Sequence, residues 1–91
     1  MEVRWSPDAA DDLARIVRYI QRDSSEVARR VAMIIVDAVG ALSTFPERGR
    51  AGRIAGTREL VVASLPWIAV YRLRDDVVEI VRIYHGAQDW P

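Results

Sequence analysis

The 91 residues contain no cysteine and no lysine, and histidine and phenylalanine occur once each. Without cysteine there is neither a disulfide framework nor a thiolate metal site, which fits a reducing cytoplasm. A single histidine, His85, leaves too few ligands for zinc, so no metal and no cofactor are expected. No apolar run approaches the roughly 20 residues that span a bilayer; the longest covers residues 31–36. Asp8, Asp11 and Asp12 interrupt the start of the chain, so no secretory signal is expected there. Net charge is also lacking: thirteen arginines balance thirteen acidic residues, with a pI near 6.6. A domain whose main work is gripping nucleic acid is usually strongly basic, so direct nucleic-acid binding is not expected.

What positive charge there is comes entirely from arginine, a planar fork suited to phosphate and carboxylate that stays charged at any relevant pH. It is unevenly placed. Residues 1–47 carry a net charge of −2 and residues 48–91 a net charge of +2. The length suits one domain, residues 1–91, with a thin core.

Residues 2–5 read as a short first strand. Ser6-Pro7 then opens a helix, with Ser6 as the N-cap, Pro7 at the first helical position and Asp8 in the first turn. Leu13, Ile16, Val17 and Ile20 follow as one apolar stripe. Ser24 or Ser25 caps a second helix running to about Ser43. Its apolar face is unusually wide: Ala32, Met33, Val36 and Ala41 extend the stripe made by Val27, Val31, Ile34, Ile35 and Val39. Either small residues permit close helix packing, or the extra face docks another chain. The loop at residues 47–57 turns on Gly49, Gly52 and Gly56. Three β-rich runs, residues 58–64, 67–73 and 77–84, are joined by connections too short for anything but antiparallel hairpins. The order is β-α-α-β-β-β: an α+β domain with a helical hairpin packed on a small antiparallel sheet.

Alternation places Arg58 in the row of Leu60 and Val62, Arg72 with Ile68 and Val70, and Arg82 with Val78 and Ile80. If register brings the three arginines together, they form an anion-binding patch. Otherwise they pair with Glu59, Glu79 and the aspartates. His85 closes the last strand, either as a structural residue or as a proton donor or acceptor. The serines lack a nucleophile-elbow context, and the glycine-rich stretch at residues 49–56 follows a helix and precedes a strand, the reverse of a phosphate-binding loop.

Four segments taken together, WSPDAADDLARIVRYI (residues 5–20), PERGRAGR (46–53), GTRELVV (56–62) and HGAQDWP (85–91), resemble the RelE/ParE superfamily of small bacterial toxins, the ParE branch most closely. The resemblance implies the toxin half of a type II toxin–antitoxin module, of the kind that stabilises plasmids. Such a protein inhibits DNA gyrase by binding, without catalysis, and a cognate ParD-like antitoxin neutralises it in a hetero-oligomer. Arg82, His85, Gln88 and Trp90 are then the expected target-facing residues. Leu13, Ile16, Ile20, Val31, Ile35, Arg53 and Arg58 are the expected antitoxin contacts. The alternative branch is a RelE-like, ribosome-dependent mRNA endonuclease, whose working residues would be Arg58, Arg82, Tyr84 and His85. Missing lysine and missing net charge depart from that branch. A third outcome is a toxin-like protein that binds its antitoxin and has no activity. On the gyrase reading, Trp90 anchors in the target, and removing residues 87–91 abolishes most toxicity.

Overall fold

The computed structural model describes residues 1–88 and 90; Asp89 and Pro91, part of the terminal segment singled out above, lie outside the described residues. The elements are β1 (Glu2–Trp5), α1 (Pro7–Gln21), α2 (Ser25–Gly40) with a 3-10 turn (Ala41–Ser43), β2 (Arg50–Ala51), β3 (Arg58–Val61), β4 (Trp67–Arg74) and β5 (Val77–His85). Both helix starts form as their residues dictate: the Ser6 hydroxyl accepts from Ala9 N, and the Ser24 hydroxyl accepts from Val27 N. The β4–β5 hairpin turns on Asp75 and Asp76, both at positive φ (51° and 62°), the two-residue geometry that matches strand twist.

The sheet is five-stranded, in the order β1-β5-β4-β3-β2. β3, β4 and β5 pair antiparallel, as expected, and β2 adds antiparallel to β3, while β1 joins β5 in parallel and makes the sheet mixed. No hairpin ties β1 to a neighbour, so its sequence does not reveal its partner. Ser6 fixes the placement: its N–H donates to Ile80 O at 3.0 Å and its hydroxyl donates to Val81 O at 3.0 Å. The two-residue β2 lies inside the loop read as irregular.

Both helices cover one sheet face. Val31, Ile35 and Val39 of α2 and Ala9 of α1 pack with Leu60, Ala69, Tyr71, Val78, Ile80 and Ile83. Tyr71 is the largest fully buried side chain. Its hydroxyl donates to Pro46 O at 2.8 Å and accepts from Gly49 N at 2.8 Å, pinning the loop that leads into β2. On the opposite face Ile68, Val70 and Tyr84 form a smaller cluster, joined by Val81 and Trp90. No helix among the described residues is long and apolar enough to cross a membrane.

Burial corrects the reading of α2. Val31 and Ile35, expected at the antitoxin surface, are core residues of the helix–sheet interface. Apolar character marked them but did not say which side of a nearly all-apolar helix meets the sheet. The side that stays in solvent carries Val27, Met33, Ile34 and Val36, with Met33 59% exposed.

Candidate functional site

β1 pairs with β5 only as far as Ile80, so the rest of β5 would be an open strand edge. α1 and the C-terminal segment close it with side chains. Asp12 Oδ2 accepts from Ile83 N at 2.9 Å, and Gln88 Oε1 accepts from His85 N at 2.9 Å. With Ser6 on Val81 O, this edge offers no ladder to an added strand.

Asp12 is the centre of the arrangement. It sits on the buried stripe of α1 with Ala9 and Ile16 and is 4% exposed. Its carboxylate accepts from Arg82 Nε at 2.8 Å, from an Arg82 terminal nitrogen at 3.0 Å and from Arg15 at 2.7 Å. Burial alone pushes the Asp12 carboxyl up. The Arg82 fork, the Ile83 N–H, the Arg82 charge and the Arg15 bond together outweigh burial and hold it below its ordinary value. The same hydrogen bond, against some desolvation, raises Arg82 above its own.

A β-bulge sets the facing of Arg82. Val70 pairs with Arg82 and Tyr71 with Ile80, so Val81 is an extra residue on β5. Strict alternation places Arg82 in the row of Val78 and Ile80; the bulge moves it to the row of Val70 and Tyr84, and its guanidinium meets Asp12 of α1. The three strand arginines therefore do not converge. Arg72 pairs with Glu79 across β4–β5. Arg58, on the helix-facing row, donates to Glu47 O at 3.2 Å and Gly49 O at 2.9 Å. It lies two strands from β5, about 9–10 Å in sheet spacing.

The expected target-facing residues do come together: Arg82, His85, Gln88 and Trp90 line one groove of about 390 Å³ with Asp12, Arg15 and Trp67. Trp90 packs on its own chain, however. It is half-buried and stacks on Tyr84 at 5.8 Å between ring centroids, and its carbonyl accepts from Arg53 at 3.0 Å. A large ring beside an apolar sheet face that the helices leave uncovered gains more from its own chain than from water. His85 is exposed; its Nδ1 accepts from Ala87 N at 3.0 Å, and its ring meets Trp67 edge-on at 6.1 Å.

The expected antitoxin residues do not form one surface. Leu13, Ile16 and Ile20 are half-buried against the core, Val31 and Ile35 lie within it, Arg53 is tied to Trp90 and Arg58 to the loop before β2. Sequence reasoning missed Asp12, although an acid on the apolar stripe of α1 and an arginine in an apolar strand were both visible. Among the described residues no three of His, Asp and Glu gather as a metal-binding group.

A family model described as "ParE toxin of type II toxin-antitoxin system, parDE" matches residues 3–90. The chain is 45% identical over 89 residues to the candidate toxin Y4kP of Sinorhizobium fredii, covering 98% of this chain and 92% of that one. It is 40% identical over 87 residues to Toxin RelE2 of Caulobacter vibrioides, covering 96% and 97%. Among solved structures it is similar to a chain of the chromosomal ParDE toxin–antitoxin system of P. aeruginosa, with a TM-score of 0.84, 28% identity and coverage of 93% and 95%. A chain of the RelBE2 toxin–antitoxin complex of Mycobacterium tuberculosis is similar with a TM-score of 0.67, 26% identity and coverage of 92% and 95%. The ParE-type sequence match and the helical hairpin on a mixed sheet agree, and the chain belongs to the ParE toxin family of type II toxin–antitoxin systems, within the RelE/ParE superfamily.

Proposed function

We propose that this toxin arrests growth by binding DNA gyrase, without catalytic turnover, and that a cognate ParD-like antitoxin neutralises it. The observation that carries the reading is the state of the groups a nuclease would need. Metal-free RNA cleavage requires a base, an acid and a free cation around one phosphate. Here Arg82 is neutralised by Asp12, Arg58 is two strands away and bonded to carbonyls, and Tyr84 is buried beneath Trp90. His85 stands without a partnered acid or base among the described residues. The near-neutral net charge also suits a protein target better than ribosomal RNA.

The test is purified protein with reconstituted gyrase, scored for lost supercoiling and for accumulated cleaved DNA, beside a translation reaction scored for mRNA cleavage. Gyrase inhibition with intact mRNA is the expected result; message cleavage without gyrase inhibition would replace this reading with the endonuclease one. His85→Ala separates the two in cells. Loss of a proton-transfer group costs a catalyst about 10²–10⁴-fold. A residue at an interface rim costs under about 1 kcal/mol, roughly fivefold. Colony survival after induction is expected to change only by the smaller factor. Removing residues 87–91 is a poorer probe than the sequence suggested, because it also uncovers Tyr84 and frees His85 N.

For the antitoxin, the exposed side of α2 replaces Val31 and Ile35 as the expected contact. An amphipathic antitoxin helix laid over Met33 and Val36, neighbours one turn apart, would cover apolar side chains that stay exposed in this chain. Met33→Glu with Val36→Glu is expected to leave the melting temperature unchanged and to weaken antitoxin binding by about tenfold or more. Unchanged affinity in titration calorimetry would move the antitoxin elsewhere.

A further inference from the structure

The outer side of α1 carries Arg15, Arg18 and Arg22 at positions i, i+3 and i+7, one row along the helix. Beside this row runs a trough of about 790 Å³ floored by Ile16, Tyr19, Pro66 and Trp67. It shares Arg15, Ile16, Trp67, His85 and Gln88 with the groove at Asp12 and continues it along α1. Three features distinguish this surface from an ordinary solvated helix face. Tyr19 is 68% exposed, a large ring left in water with the Arg22 guanidinium over it at 5.8 Å. Among the described residues Arg18 and Arg22 have no carboxylate partner, whereas Arg15 is tied to Asp12. And the floor is apolar while the rim is cationic, the anatomy of a protein-binding patch with an apolar centre and a polar edge.

Charge and shape together select the occupant. A nucleic-acid strand tracks a continuous basic groove, but Asp8 and Asp11 flank the start of α1 and the whole chain has no net charge. A peptide segment meets both halves of the site. Its carboxylates can take the Arg18 and Arg22 forks, and an apolar side chain can enter between Tyr19 and Trp67. Arginine, tyrosine and tryptophan are the residue types that dominate interface energetics.

Resting on the reading that this toxin acts by binding a protein target, we propose that the α1 trough, rather than the Trp90 segment, docks that target through an acidic, amphipathic segment. The antitoxin takes the α2 face, no residue of which lines the trough.

The decisive variant is Arg18→Glu with Arg22→Glu. Both side chains are exposed and lack a carboxylate partner among the described residues, so the fold is not expected to depend on them; circular dichroism melting checks this. Arg18→Lys with Arg22→Lys is the control, keeping charge while removing the planar fork. In cells the glutamate variant is expected to lose growth arrest, with surviving colonies rising about 100-fold, while antitoxin affinity stays within about twofold and the lysine variant keeps part of the arrest. With reconstituted gyrase, its binding is expected to fall by about tenfold or more. Should the wild type arrest growth without touching gyrase, the gyrase assignment fails while the trough is still decided by survival of the variants. Arrest by the glutamate variant equal to wild type, or absent from both, overturns the proposal. So does a matching loss of antitoxin affinity, which would make the trough the antitoxin's site. Tight binding of short single-stranded DNA or RNA by the wild type, lost in the glutamate variant, would make it a nucleic-acid site and overturn it equally.

Discussion

Tyr71→Ala is expected to remove about 3–5 kcal/mol of stability, the typical loss for emptying a buried aromatic site. A domain of this length holds about 5–14 kcal/mol in all, so the substitution removes a large share of the total. Three losses coincide at this position. The ring fills the centre of the helix–sheet interface and is fully buried. Its hydroxyl is the partner of the buried Gly49 N–H and of Pro46 O. The Gly49 backbone also loses its close packing partner, since a Cβ there would stand only 2.7 Å from Tyr71 Cε1. Tyr71→Phe isolates the hydrogen bonds: it keeps the volume, leaves the Gly49 amide unpartnered and is expected to cost about 1–3 kcal/mol. Urea midpoints at constant slope measure both variants. Phenylalanine matching the wild-type midpoint would mean that the loop at residues 46–49 is held by something other than this hydroxyl.

Asp12→Ala is expected to cost about 2–3 kcal/mol and to change how the protein responds to acid. Arg82 and Arg15 reach solvent and can be rehydrated when the carboxylate is gone, so the full penalty of an orphaned buried charge does not apply; the buried Ile83 N–H cannot be rehydrated. For a domain this small the melting temperature should fall by roughly 10–20 °C. The pH dependence is a matter of linkage. An aspartate in the unfolded chain titrates near about 3.9. The folded Asp12 titrates lower, because Arg82, the Ile83 N–H and Arg15 outweigh burial. Its contribution is therefore complete above the unfolded value and is lost as pH falls through the folded one, below about 4. Wild type should lose stability between about pH 5 and pH 2 more steeply than Asp12→Asn, with the curves parallel near neutrality. Parallel curves throughout would show that Asp12 is not held down by its partners.

Some of this was legible along the chain and some was not, for reasons that particular residues make plain. Ser6-Pro7 and Ser24 announce their helices because capping is local chemistry between a hydroxyl and amides three residues on. The β3–β4–β5 antiparallel run is equally local, since two- to five-residue connections admit no crossover. The parallel placement of β1 was hidden because Glu2 and Val77 are joined by the whole molecule rather than by a turn. Arg82 was misplaced because one extra residue at Val81 reverses the facing of every later residue in β5, and nothing in a two-residue period marks where a bulge falls. Val31 and Ile35 were misread because apolarity says that a helix is covered, not which neighbour covers it.

By itself, the sequence determined the α+β class, the family and the helix starts, since these rest on local propensity, periodicity and the residues of four segments. Only the tertiary structure decided which arginines are neutralised. Asp12 and Arg82 are seventy residues apart, and their pairing depends on α1 lying against the half of β5 that β1 leaves unpaired. Tyr84 and Trp90 look alike as exposed aromatics until the uncovered sheet face draws one over the other. Tyr19, Trp67, Arg18 and Arg22 become one surface only when the α1 face and the β4 start are brought side by side. Pairing energies of this kind depend on distance through space, and a sequence specifies that distance only through the fold it makes.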